Sequence, residues 1–368
     1  MRKIRFKILS LLLAAAILLT GLTGCNAATS TMTSAVKTTT TTAPTERVIT
    51  DLVGTKVTIP ATVNRVGALV GPGYDKIAIL GGVDKIAVCG MAPLPWAQKF
   101  IPAFKQIPTI NNASAPNAED LLKQKVDVVF FWDTPAAAKP MIDAGIPVIA
   151  TQLGAKTGPD TQEKFLNLFK NEIQIFADVL GPDAQKRAAD YLAYYNNTVN
   201  RITSVTSKIP ASERPRVYYV RGPNPLTTHL GYSNTYWLVN MAGGDLVTKE
   251  ITNGIVADVT MEQVIKWNPD FIIMGRVATT DPVVKDSKWA DINAVKNGKV
   301  FVNPGGAFYS DYGSESALLL LFLAKTFYPA KFADIDMVKE AKYFYSHFYN
   351  YQLTDDEANR ILMHLDPQ

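Results

Sequence analysis

Glu119-Asp-Leu-Leu-Lys-Gln-Lys-Val-Asp127-Val-Val-Phe-Phe131 and Glu262-Gln-Val-Ile-Lys-Trp-Asn-Pro-Asp270-Phe-Ile-Ile-Met274 are two copies of one pattern, 143 positions apart. In each, a Lys lies four residues after the Glu and an Asp eight residues after it, and an apolar run follows. The first half reads as a short helix opened by a cap, Asn117 or Thr260. Asp120 or Gln263 stands three residues later, as in a capping box. The second half is apolar on both faces and reads as a strand buried in a parallel sheet. A helix–strand unit that returns after so long an interval predicts two similar lobes, not one long sheet.

Outward from the repeat, short β-branched runs alternate with helical segments, the pattern of α/β structure. Strands are expected at Val66–Val70, Ile86–Cys89, Val126–Phe131, Val148–Thr151, Val217–Val220, Phe271–Met274 and Val300–Val302. Between the lobes, Asp160–Lys208 carries Phe165, Leu168, Phe169, Ile173, Phe176 and Leu180 at helical spacing. Gly181-Pro182 breaks that run before a second helical stretch. A helix of about twenty residues spans about 30 Å, enough to join two lobes. The expected fold is thus α/β, with two Rossmann-like lobes of mainly parallel sheet joined by a long spine helix. Tyr343, Phe344, Tyr345, Phe348, Tyr349 and Tyr351, crowded near the end of the chain, read as core packing.

The chain has 368 residues, 47% of them apolar and 19% charged, which suits folded lobes rather than a disordered chain. Its net charge is +4, but Arg2, Lys3, Arg5 and Lys7 account for all of it. The remainder is neutral and has no basic field for nucleic acid. Those basic residues precede an apolar run, Ile8 to Leu19, that is too short for a comfortable permanent span. The run ends in Leu22-Thr23-Gly24-Cys25, which resembles the lipobox of bacterial lipoproteins. Cys25 is then the lipidated residue, and several acyl chains, at roughly 0.8 kcal/mol per buried methylene, anchor the protein stably to the cell membrane. From Thr29 to Thr45 the chain has nine Thr and two Ser, a tether of about 25 Å reach. The organisation expected is a signal peptide at 1–24, a lipidated Cys and tether at 25–46, an N-terminal lobe at 47–159, a helical spine at 160–208, a C-terminal lobe at 209–330 and a helical extension at 331–368.

Several segments carry a family resemblance: Leu80-Gly-Gly-Val-Asp-Lys-Ile-Ala-Val88, Asn117-Ala-Glu-Asp-Leu-Leu122, Gly145-Ile-Pro-Val-Ile149, Thr260-Met-Glu-Gln-Val-Ile265, Pro269-Asp-Phe-Ile-Ile273 and Ala294-Val-Lys-Asn-Gly-Lys-Val300. In order and spacing they resemble the class III, helix-spine periplasmic substrate-binding lipoproteins that feed ABC importers of ferric siderophores, haem and cobalamin. Lys125-Val126-Asp127 departs from that family, which has Pro before the Asp. The resemblance implies a monomeric, extracytoplasmic, lipid-anchored receptor. It captures an iron chelate, haem or corrinoid as a small-molecule metal complex and delivers it to an ABC permease dimer with its ATPase subunits. No resident cofactor is implied. Glu119 and Glu262, one per lobe, are implied as permease-docking residues; each alone is equally a first-turn acid that complements the helix dipole.

Ligands of such folds sit between lobes, at the carboxyl ends of the strands. Tyr74, Trp132, Arg221, Tyr232, Asn234, Arg276 and Tyr309 all follow predicted strands and are the candidate ligand-binding residues. Arginines fork onto carboxylates, catecholates or oxyanions, while Tyr and Trp give flat apolar walls. The competing readings are an interlobe salt bridge for Arg221 or Arg276 and hinge packing for Tyr74 and Trp132. His229, His347 and His364 are far apart and make no metal-ligand spacing; His229 reads as a solvated loop residue beside the cleft. Cys89 reads as a small buried hydrophobe. No nucleophile elbow, Walker loop or His-Glu-x-x-His occurs, so an enzyme is not expected. Two alternatives stay open: a molybdate or tungstate oxyanion as cargo, and a surface-anchored hydrolase.

Overall fold

The computed structural model describes residues 45–154 and 158–368. The signal segment, Cys25 and nearly all of the tether lie outside the described residues. A hairpin of β1 (Glu46–Thr50) and β2 (Lys56–Pro60) opens the described chain. The N-terminal sheet has the order β4-β3-β5-β6 and is parallel throughout, from β3 (Val66–Ala68), β4 (Ile86–Cys89), β5 (Val128–Trp132) and β6 (Val148–Gln152). The C-terminal sheet is built from β7 (Arg216–Val220), β8 (Thr227–His229), β9 (Asp245–Leu246), β10 (Val256–Asp258), β11 (Phe271–Met274) and β12 (Val300–Val302). Its order is β10-β8-β7-β11-β12, with β9 also on β7; β8 and β10 run antiparallel to their neighbours.

The repeat has a physical cause. Asp127 accepts hydrogen bonds from Asn64 N (2.7 Å) and Arg65 N (2.8 Å), and Asp270 accepts one from Arg216 N (2.9 Å). Each carboxylate thus clamps the start of the strand beside its own, and so fixes parallel register. The backbone repeats as well: Lys125 and Asn268, at matching positions, both take left-handed φ, +53° and +40°. Asn tolerates that region and Lys carries its cost. The caps differ. Thr260 and Gln263 form a full capping box, whereas Asn117 caps Glu119 N (2.8 Å) and Asp120 turns instead to Lys123.

The spine is a pair of helices rather than one. Gln162–Leu180 and Pro182–Thr206 meet at Gly181, whose φ of +111° suits glycine. They fold back on each other, with Phe169 stacked on Tyr195 at 4.4 Å. The first runs from Trp237, against Phe165, to Phe130, against Phe176 at 4.2 Å. The second, about 37 Å long by its 25 residues, returns from Ile79, whose carbonyl accepts Arg187 Nε, to Met241, whose carbonyl accepts the Thr206 hydroxyl.

One apolar cluster joins both lobes, the spine and the terminal extension, where Phe344, Tyr345, Phe348 and Tyr349 are buried as expected and Tyr343 is exposed. Polar locks cross the same interior. Asp75 accepts from Ser314 N (2.7 Å), Ser314 Oγ (2.9 Å) and the Tyr349 hydroxyl, and buried Lys76 pairs with Glu172 of the spine. Burial, helped by the Asp75 charge, pushes the Glu315 carboxyl well up, and burial raises the Asp75 carboxyl too.

Candidate functional site

The C-terminal lobe builds the polar centre of the cleft from loops at the ends of β7, β11 and β12. Arg276 stands two residues past β11 with φ +57°, a conformation costly for a non-glycine residue and one that aims its side chain across the strand ends. Its guanidinium lies over the rings of Tyr309 (4.4 Å) and Tyr312 (5.3 Å). Nη2 reaches Asp311 at 3.2 and 3.4 Å, while Nε is buried with no hydrogen-bond partner among the described residues. Asp311 also receives His229 Nε2 at 3.1 Å. Burial raises the Asp311 carboxyl, but the His229 hydrogen bond and the Arg276 charge outweigh it and hold it below the usual range. Burial also lowers His229, so the imidazole is neutral, with its proton on Nε2. His229 belongs to β8 and is fully buried, not a solvated loop residue; its Nδ1 has no partner among the described residues.

Arg221, directly after β7, makes no side-chain hydrogen bond or ion pair among the described residues. Burial lowers His229 and the Arg221 charge adds a little to that; burial pushes Tyr312 up to about 12, and the same charge offsets only a small part of it. Arg276 is the arginine that pairs with Asp311 in this centre. The Arg276 pair lies within one lobe; it is not an interlobe bridge.

Two cavities flank Tyr309 and Tyr312. One, of about 180 Å³, is lined by Leu94 and Trp96 of the first lobe, Arg276 and Tyr309 of the second, and His364 and Asp366 of the extension. The other, of about 80 Å³, brings Tyr232 and Asn234 against Gln152, Glu172 and Tyr312. Tyr232 also has a left-handed backbone, φ +64°, and Ser233 caps the following helix through Tyr236 N at 3.1 Å. Tyr74 is buried beneath the cleft. Its hydroxyl donates to Ala307 O (2.8 Å) and accepts from Leu94 N (3.0 Å), so it ties the lobes and has no donor to spare. Trp132 is half-buried, edge-on to Phe131, and lines neither cavity. A larger cavity of about 380 Å³ lies at the turn of the spine, but Arg47 and Arg187 there are spent on main-chain carbonyls.

Glu119 and Glu262 are exposed, one in each lobe. The Glu262 carboxyl is lowered by its own backbone N–H and by Thr260. No group of three or more His, Cys, Asp or Glu among the described residues could hold a metal ion. Cys89 is buried, and burial pushes its thiol up to about 12. Sequence reasoning missed Trp96, Tyr312 and the His364–Asp366 wall. No local pattern marks them, because the fold alone brings them to the cleft.

Parallel lobes, a helical spine and a polar centre at the facing strand ends define a class III periplasmic binding protein. The family model described as periplasmic binding protein matches residues 68–305, and the chain belongs to that family. A molybdate-binding protein MolA of Haemophilus influenzae is 29% identical over 339 residues, covering 86% of this chain and 94% of that protein. The crystal structure of a periplasmic solute binding protein from Veillonella parvula is similar at 28% identity and a TM-score of 0.67, covering 86% of this chain and 97% of the other. The molybdate-bound MolA structure from H. influenzae has the same fold, with a TM-score of 0.74 at 24% identity, over 84% of this chain and 99% of that one.

Proposed function

We propose that the protein is the substrate-binding component of an ABC importer and that its cargo is a small tetrahedral oxyanion of the molybdate or tungstate kind. The observation that carries this is Arg276. It is a charged side chain stacked on two tyrosines, with guanidinium donors left over beside a cavity of about 180 Å³. Sites for drug-sized ligands run about 300–1,000 Å³, so neither interlobe cavity suits a tetrapyrrole, a corrinoid or a bulky ferric chelate without wide opening. The polar locks Asp75–Ser314 and Tyr74–Ala307 oppose such opening. Asp366 stands exposed at the rim, where water screens it. The molybdate-binding relative points the same way.

In this reading Cys25 is lipidated, the body is held near the outer face of the membrane as a monomer, and Glu119 and Glu262 meet the permease. Isothermal titration calorimetry with molybdate, tungstate, sulfate, a ferric hydroxamate and haem tests it. One saturable site for molybdate and tungstate, with no heat from haem, is expected. Silence with molybdate at millimolar concentration, together with tight binding of haem or a ferric chelate, would overturn it.

A further inference from the structure

Eight bulky apolar side chains among the described residues are at least two-fifths exposed, and two of them fall at matching positions of the repeat. Leu122 is 50% exposed and Ile265 is 53% exposed. Each lies three residues after its glutamate, Glu119 or Glu262, and so on the same helix face. The preceding residues, Leu121 and Val264, are fully buried and pin each helix to its sheet. Ile142 and Val284 are a second exposed pair, on the next helix of the same layer of each lobe; Met141 and Val283 beside them anchor those helices in the same clusters. Single exposed aliphatics are ordinary on soluble proteins. A duplicated set, in one register with an acid that makes no ion pair among the described residues, is not.

We propose that Leu122 and Ile265, one per lobe, add an apolar contact to the permease docking read above from Glu119 and Glu262. This proposal rests on the importer reading and extends it. The partner is a membrane permease of two equivalent halves, each offering a cationic side chain beside an apolar recess. The charge pair steers encounter and is screened by salt. The aliphatic knob enters the recess and holds the complex by an attraction that salt does not screen. Two-fold symmetry explains why one knob per lobe recurs at the same register.

The test measures binding of the full chain to the cognate ABC permease in nanodiscs at low and high salt. L122Q/I265Q keeps helix propensity and is expected to weaken binding roughly 10- to 50-fold at both salts, with anion affinity and melting temperature unchanged. E119A/E262A should weaken binding more at low salt than at high. L122A/I265A guards against a folding artefact and should fall between the Gln pair and the unaltered protein. Permease binding within twofold of the unaltered protein for L122Q/I265Q, while E119A/E262A is impaired, would remove the knobs and leave the importer reading standing. Unchanged binding in both pairs would remove these helices from docking altogether. Self-association that is lost in L122Q/I265Q, with permease binding intact, would assign the face to a second copy of the chain and overturn the proposal.

Discussion

Asp311→Asn separates the structural from the ligand-facing part of the polar centre. The change keeps side-chain shape and an oxygen that accepts from His229, but it removes the only carboxylate paired with Arg276 among the described residues. Breaking a fully buried ion pair costs about 3–5 kcal/mol. The Arg276 side chain retains 15% exposure, which lets water offset part of the loss. We therefore expect the ligand-free protein to lose about 2–4 kcal/mol in urea denaturation. Ligand affinity should move the other way. For an anion on the free edge of Arg276, taking a separation from Asp311 of about 6 Å and an effective dielectric of about 20, a unit charge is worth about 3 kcal/mol. Solvent at the cleft rim reduces this, so molybdate should bind roughly 10- to 100-fold more tightly to D311N. Asp311 is held below the usual carboxylate range, so its stabilisation is present above about pH 4 and is lost as pH falls through its folded value. D311N should lack that part of the acid limb. Weaker molybdate binding in D311N, or unchanged stability of the ligand-free form, would refute the assignment of Asp311 as the counter-ion of Arg276.

Tyr74→Phe strands the buried Ala307 O and the partly buried Leu94 N, and should cost about 1–3 kcal/mol in urea denaturation while molybdate affinity stays within about threefold. His229 and His364 are both lowered from 6.5, chiefly by burial, so the unfolded chain binds protons there that the folded chain refuses. Stability should be full above about pH 6.5 and should fall below it by up to about 1.4 kcal/mol per pH unit for each group. His229→Gln and His364→Gln should each flatten that slope in urea midpoints taken from pH 5 to 8. A chain ending at Met363 loses the Leu365 carbonyl that accepts Trp96 Nε1 at 2.8 Å and the wall beside Arg276. It should be about 1–3 kcal/mol less stable, and stopped-flow mixing should show faster release of the anion.

What could be read from the chain was what local chemistry decides. Ile86–Cys89, Phe271–Met274 and Val300–Val302 form as expected because apolar, β-branched runs between turn residues leave few other choices. The repeat was legible through its caps and through Asp127 and Asp270. Strands β8, β9 and β10 were not, since they have two or three residues each and their identity comes from the neighbours they pair with. The hidden position of His229 follows from that omission. Tyr74 stood among the ligand candidates because it follows a predicted strand, yet its ring meets Phe104 and Phe308, the latter 234 positions away. Arg276 and Tyr309 could be placed at strand ends, but their stacking and the third wall from His364–Asp366 depend on how the extension crosses the lobes.

The proposed function puts an oxyanion on Arg276, between the lobes. Tungsten scatters anomalously, so crystals grown with tungstate locate it without reference to any assumed pose. One tungsten per chain is expected, within hydrogen-bonding distance of the Arg276 guanidinium and beside Tyr309. Ordered tungsten bound away from Arg276, or none in crystals of protein that calorimetry shows to be saturated, would contradict it.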